Sequence, residues 1–311
     1  MKISVLTATY NRAKYLNKLY KSIVNNISSR YEVEWLIMDD GSTDDTENIC
    51  NKLIYADKSV NANISGNSRL QIKYFKQDNQ GKMAAINNLT EHVTGDLWIE
   101  CDSDDYFVEN CFYKIMEQYK KIENQDNIYA LAFLKQDQNG KNMGNNFKND
   151  ISTMYDLYFK EAEDGEKALV FLTKIRKNYK YELENNERFV TEARMYHKMD
   201  LEHKIKCVNE TIMICEYQDG GYSKNISKQF INYPFGYYKY FYEILAYMDT
   251  KNIESAKRLY VIKHYILFTY LTRKRLSLKV KGIENKVLIL LMYIPGVIKS
   301  RKYKKDNQIK K

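Results

Sequence analysis

Asp102-Ser103-Asp104-Asp105 places three carboxylates within four residues, directly after the apolar run Leu97-Trp98-Ile99-Glu100-Cys101. That run reads as a buried strand, so the acids sit where it ends and the chain turns into Tyr106-Phe107-Val108. Like charges this close repel, and a fold keeps them when a cation offsets the repulsion. A hard divalent ion, Mg2+ or Mn2+, with phosphate oxygens completing its shell is one such cation. A solvated acidic turn is the alternative reading. A second acidic pair, Asp39-Asp40, ends the strand-like run Val33-Glu34-Trp35-Leu36-Ile37-Met38 and is followed by Gly41-Ser42.

These residues must be carried by regular elements. Residues 3–9 read as a first strand, followed by turn chemistry at Tyr10-Asn11-Arg12. A helix from about Ala13 has Leu16, Leu19, Tyr20, Ile23, Val24 and Ile27 at the spacing of one buried face. Residues 33–38 form a second strand. Ser42 or Thr43 is expected to cap the next helix, with Asp44 and Asp45 in its first turn. Residues 56–69, rich in Asn and Ser, read as a surface insertion. Residues 70–75 form a third strand, and Asn79-Gln80-Gly81-Lys82 opens a helix. Strands alternating with helices imply a parallel sheet with helices on both faces, which binds ligands beyond the carboxyl ends of its strands. Thr9-Tyr10-Asn11, Asp40, Lys82 and Asp102–Asp105 all follow strand ends and converge by topology. No G-x-G-x-x-G follows the first strand and no G-x-x-x-x-G-K-[ST] occurs. A dinucleotide enzyme or P-loop phosphotransferase is therefore disfavoured, and a nucleotide would have to be held by side chains and a metal.

The second half reads as a helix over about 107–121, a strand at 128–134, a turn at Asn139-Gly140 and a short strand at 168–172. A helix follows with Thr191 as its cap. Val208 and residues 212–217 read as a closing hairpin, and Asp219–Ser223 as a mobile loop. From about Tyr233 onward the chain reads as helical, aromatic and basic.

Composition sets bounds. With 311 residues and 44% hydrophobic content the chain is long and apolar enough for one large core or two modest ones. The five cysteines are odd in number, scattered and without C-x-x-C, as in a reduced cytosolic protein. Four dispersed histidines offer no metal cluster; His92 and His197 read as helix-surface or packing residues. Met1-Lys2-Ile3 leads straight into a strand, so no secretion signal is expected, and no apolar run is long enough to span a bilayer. Net charge is +9, but residues 257–311 alone sum to +14 and the rest to −5. The short apolar run 287–294 with basic flanks suits an anionic membrane surface; a packed helical subdomain with a solvated basic tail is the alternative. The basic residues accompany aliphatic runs and no nucleic-acid motif, so nucleic acid is not expected as a partner.

Four motifs in this order resemble glycosyltransferase family 2: Thr9-Tyr10-Asn11-Arg12, Asp39-Asp40-Gly41-Ser42-Thr43-Asp44, Asn79-Gln80-Gly81-Lys82 with Ala85 and Asn87, and Asp102-Ser103-Asp104-Asp105. The resemblance covers about residues 1–220 and is nearest in kind to bacterial capsule and exopolysaccharide enzymes. It implies an α/β GT-A fold, a Rossmann-like sheet with flanking helices, here with a C-terminal helical extension. It implies a nucleotide-binding half over 1–106, an acceptor-binding half over 107–220 and a helical region over 221–311. It implies a nucleotide-sugar donor, with UDP favoured. Asp40 resembles the aspartate that accepts the imide N–H of the base. Thr9, Tyr10 and Asn11 would line the donor, using backbone groups; Ala8 stands where family members often carry Pro. Lys82 would contact the nucleotide or its phosphates. Asp102 begins the D-x-D signature, and Asp104 and Asp105 resemble the pair that contacts ribose and the Mg2+ or Mn2+ bridging the diphosphate.

The resemblance also implies a general base for the acceptor hydroxyl. Glu192 occupies the matching place, Glu187 is the fallback, and Ala193 replaces the second acid frequent in the family. Asp219–Ser223 is expected to close over the donor. The expected acceptor is a saccharide, free or on a lipid carrier. The expected location is the cytoplasm, with peripheral attachment to the cytoplasmic face of the membrane left open by the tail. A phosphatase would want its D-x-D on the first strand, and a nucleotidylyltransferase a Gly-rich loop there; neither is present. An inactive nucleotide-sugar-binding scaffold remains the non-enzyme alternative.

Overall fold

A computed structural model describes residues 1–63, 69–161, 163, 165–216 and 226–308, without the side chains of 58–63 and 308. Its first part alternates strand and helix: β1 (Lys2–Thr9), α1 (Ala13–Val24), β2 (Glu32–Asp39), α2 (Thr46–Asn63), β3 (Leu70–Lys76), α3 (Lys82–Leu89) and β4 (Leu97–Glu100). There follow β5 (Tyr106–Phe107), α4 (Cys111–Lys120), β6 (Ile128–Asp137), β7 (Ile151–Ser152), α5 (Met154–Phe159), β8 (Lys167–Leu172) and α6 (Thr173–Arg176). The chain continues with α7 (Glu192–Met199), β9 (Lys204–Cys215), α8 (Ile226–Asn232), α9 (Pro234–Tyr247), α10 (Ser255–Thr272) and α11 (Ile283–Gln308).

β3, β2, β1 and β4 lie side by side and parallel, in that order. Strands covered on both faces need continuous apolar runs. β1 and β2 supply them, with Ile3, Val5, Leu6, Val33, Trp35, Leu36 and Ile37 all buried. The register sets Thr9 opposite Asp39, and Asp39 opposite Lys76, so the three strands end level.

The expectation of a parallel sheet holds only for this half. β8 runs antiparallel between β4 and β6, while β6 and β9 are parallel. The connection from β6 to β8, residues 138–166, is long enough for either direction, so its length does not set the strand direction; it carries β7 and α5 and returns antiparallel. The expected hairpin at 208–217 is instead one strand, β9. Register shifts against β6 next to Phe133 and Leu134 mark bulges, and these interrupt the apolar pattern around Asn209 and Glu210. The helix expected over about 107–121 starts only at Cys111, and Tyr106 and Phe107 pair with β9 as β5. The stretch 56–69 is helical as far as Asn63. Its helix starts at Thr46 and not behind Ser42 or Thr43, because the Asp44 carboxylate accepts from the Thr46 backbone N–H and hydroxyl.

The chain forms two compact units. The first comprises Met1–Ser152, Glu163–Lys180 and His203–Gln218, and the second Thr153–Ala162, Tyr181–Glu202 and Asp219–Lys311. The boundary is thus not a single cut near residue 220: α5 and α7 belong with the C-terminal helices. The first unit is built on the sheet, with Trp35, Phe112, Phe133 and Val170 in its core. The second is helical and aromatic, with Phe230, Tyr237, Phe241, Tyr265 and Phe268 buried at its centre; Phe268 stacks on Tyr237 and Phe241, and Phe230 meets Tyr237 and Phe268 edge-on.

Candidate active site

In the first unit β2 and β3 lie on one side of β1 and β4 on the other, so chain order reverses at β1. Open α/β sheets form their ligand crevice at such a point, beyond the carboxyl ends. The loops that follow the four strands are joined there by hydrogen bonds. Asn11 adopts a left-handed backbone (φ 53°), a conformation that asparagine tolerates better than most residues. Its side-chain oxygen accepts from Thr43 N at 2.8 Å, and its own N–H donates to Ser42 Oγ at 2.9 Å. Thr9 C=O accepts from Asp40 N at 2.8 Å. Among the described residues the buried Thr9 hydroxyl has no hydrogen-bond partner, and the Tyr10 side chain stands about half exposed.

Asp40 binds the second loop to the third. Its buried carboxylate accepts from Gln77 Nε2, Gln80 N and Gly81 N, each at 2.8 Å. A carboxylate has about four acceptor positions, so about one is left for a ligand such as a base N–H. Gly81 is at φ 93°, a conformation strained for any other residue, and it directs Lys82 into the first turn of α3. Asp39 faces inward and accepts from Ser42 N and the Tyr74 hydroxyl, each at 2.7 Å.

Lys82 joins the third loop to the fourth: its Nζ lies 2.7 Å from Asp102 Oδ1. Burial pushes the Asp102 pKa up, but the Lys82 charge and hydrogen bond, helped by Lys135 and Arg12, hold it below the usual carboxylate value. Asp104 is shifted the other way, by burial and by the Asp102 charge beside it. Asp105 points into the protein. It is buried, 3.6 Å from Lys135 Nζ and 3.2 Å from Cys215 Sγ, and Lys135 also lies 3.4 Å from Glu166. Burial raises the Asp105 pKa against the pull of Lys135. The cation that three adjacent acids require is therefore partly built in, as Lys82 and Lys135.

Beneath the acids, the fully buried Arg176 pairs with Glu100 at 2.9 Å and lies over the Trp98 ring at 4.3 Å, fixing the end of β4. Among the described residues no group of three or more His, Cys, Asp and Glu is disposed to hold a metal by itself. Mg2+ sites built from one or two carboxylates plus substrate phosphates need no such group. Asp102 and Asp104 fit that donor set; Asp105, expected beside Asp104, is engaged with Lys135 because burial demands an ionic partner.

The second unit holds the remaining candidates. Thr191 is the N-cap residue of α7 but makes no side-chain capping bond; Glu192 is the first helical residue and is partly exposed. Glu187 is buried, and its two oxygens accept from Phe235 N at 2.8 Å and Gly236 N at 2.7 Å, at the start of α9. Burial raises its pKa to about 7. The fallback base is thus occupied as a helix cap. Arg194, in the first turn of α7, is buried and reaches Glu182 (2.9 Å), Glu184 (3.1 Å) and Glu243 (2.8 Å). Asp219–Ser223 lies outside the described residues.

Lys135, Arg176 and Arg194 went unmarked in the sequence. A single lysine at the end of an apolar strand was the one available signal for Lys135, and nothing there says which acid it meets.

Residues 4–203 match the family model described as glycosyl transferase family 2. The Mycoplasma genitalium protein called uncharacterized glycosyltransferase MG060 is 34% identical over 130 residues, 41% of this chain and 40% of that protein, so the match spans less than half of that relative. Glycosyltransferase GlyG of Streptococcus pneumoniae is 25% identical over 232 residues, 70% of this chain and 71% of that protein. The crystal structure of S. aureus TarS 1-349 in complex with UDP-GlcNAc superposes with a TM-score of 0.57 at 18% identity, covering 96% of this chain and 82% of that one.

Proposed function

The chain belongs to glycosyl transferase family 2 and has the GT-A fold, and from that premise we propose that it moves a sugar from a nucleoside diphosphate sugar, by preference a UDP-sugar, to a hydroxyl of a saccharide or lipid-linked saccharide in the assembly of a surface polysaccharide. The observation that carries this reading is the hydrogen-bonded set of four loops at the switch point, from Asn11 through Asp40 and Gly81 to the Lys82–Asp102 pair. Acceptors for a base, donors for phosphate and free carboxylate capacity meet at one sheet edge. A neighbour of the same fold that is complexed with UDP-GlcNAc supports the choice of donor.

The reaction is a single displacement with inversion. The acceptor oxygen bonds to the sugar C1 as the bond from C1 to the diphosphate oxygen breaks. Glu192 takes the acceptor proton as general base. Lys82 holds negative charge that develops on the departing diphosphate. Asp102 and Asp104 would hold Mg2+ or Mn2+, which, when bound, neutralises diphosphate charge. The one open acceptor position of Asp40 takes the base N–H. Asp105 and Lys135 shape the floor of the site.

The test is thermal stabilisation by UDP, GDP and dTDP, each with and without Mn2+. A ligand at 100 times its Kd raises stability by about 2.7 kcal/mol. A Mn2+-dependent shift with UDP is expected. No shift with any nucleotide overturns the reading.

A further inference from the structure

α11 has two opposite faces of different character. On one, Asn285, Ile289 and Ser300 are buried, and Gly296 lies so close to α10 that a Cβ there would come within 2.7 Å of Ile266 Cγ2. On the other, Ile283 is 76% exposed, Val287 48%, Leu290 56%, Leu291 70%, Ile294 72% and Ile298 61%. At 3.6 residues per turn these six form one stripe, about 23 Å long, centred roughly opposite the packed face. Single exposed aliphatic residues need no explanation; a row of six on one helix face does.

Charge identifies what the stripe meets. Arg301 and Lys305 stand 18 residues beyond Ile283 and Val287, five full turns, so they extend the same line; both are exposed. Lys286, Lys299 and Lys302 are exposed beside it. The connection from α10 adds exposed Arg273, Lys274, Arg275, Lys279 and Lys281. Over residues 273–308 the acids are Glu284 and Asp306 alone.

We propose that this face of α11 lies flat on an anionic lipid surface, the six aliphatic side chains entering the headgroup–acyl boundary and the lysines and arginines reaching back to lipid phosphates. A second copy of the chain fits less well, since pairing two such faces brings like charges together. A span is not available: among the described residues no helix is long and apolar enough to cross a membrane. The surface gives a lipid-carried acceptor its place, and the proposal rests on that reading for its purpose but not for its physics.

The experiment is co-sedimentation of the full chain, without donor or acceptor, with vesicles of phosphatidylcholine alone or mixed with phosphatidylglycerol. Wild type should pellet with the mixed vesicles at physiological salt and not with phosphatidylcholine alone. Leu291→Glu with Ile294→Glu should lower the partition coefficient at least about tenfold. Arg301→Glu with Lys305→Glu should do so by a smaller factor that shrinks as salt rises. All four positions face solvent, so melting temperatures should match wild type and certify the fold. Wild type that stays in solution, or a Leu291/Ile294 variant that still pellets, overturns the proposal. So does a dimer in sedimentation velocity that the same variant dissociates, which would assign the stripe to a second copy. Sugar transfer to a soluble acceptor is read separately: binding without transfer would refute the function and spare the surface, and transfer without binding would do the reverse.

Discussion

At the scale of the residue, neighbours in sequence have different work. Asp102 and Asp104 keep acceptor capacity at the open edge, while Asp105 turns inward to Lys135 and Cys215. The sequence shows that three acids need cations; it does not show which, because Lys135 is thirty residues away on another strand. Asp104→Asn should weaken Mn2+-dependent UDP binding while leaving the melting temperature of the free protein unchanged or slightly higher, since it removes a charge crowded by Asp102. Titration calorimetry with and without Mn2+ decides it, and unchanged affinity would remove Asp104 from the site. Glu192→Gln should cut transfer by a factor of about 100 or more, the usual weight of general-base catalysis, with UDP affinity retained. Near wild-type transfer would leave the base unassigned, since Glu187 already caps α9.

At the scale of the element, the loops act through one another. Asp40 was legible as an acid at a strand end, but its use as the anchor of the Gln80-Gly81 turn was not, because hydrogen bonds to backbone leave no trace in composition. Asp40→Asn should turn an amide N–H toward a backbone N–H it cannot satisfy, at a cost of about 1–3 kcal/mol, read by urea denaturation. His197, read from sequence as a helix-surface or packing residue, is buried against Tyr155, Phe159 and Tyr240. Burial alone lowers its pKa from 6.5 to about 3. Between those values the unfolded chain binds a proton that the folded chain refuses, so stability falls as pH drops below about 6.5. His197→Phe should flatten that limb of a melting-temperature profile; an identical slope would mean that other groups set it. The antiparallel β8 was not legible, because strand direction depends on where the connection returns.

At the scale of the molecule, the alternation of strands and helices up to β4 and the charge imbalance of the tail were both visible in one sequence. The two-unit division was not. Thr153–Ala162 and Tyr181–Glu202 fold with helices that follow them by many residues, and only packing assigns them. The four loops meet as predicted by topology, but what locks them, Asn11 onto Thr43 and Asp40 onto Gly81, is tertiary.

The lysines built in among the acids have a practical corollary. Since Lys82 pairs with Asp102 and Lys135 with Asp105, part of the repulsion there is offset without a metal, and the fold should stand without a divalent ion. Purification and storage in chelator should leave the melting temperature where it was and merely stop turnover. Readdition of Mn2+ should restore it within the dead time of mixing, with no refolding lag.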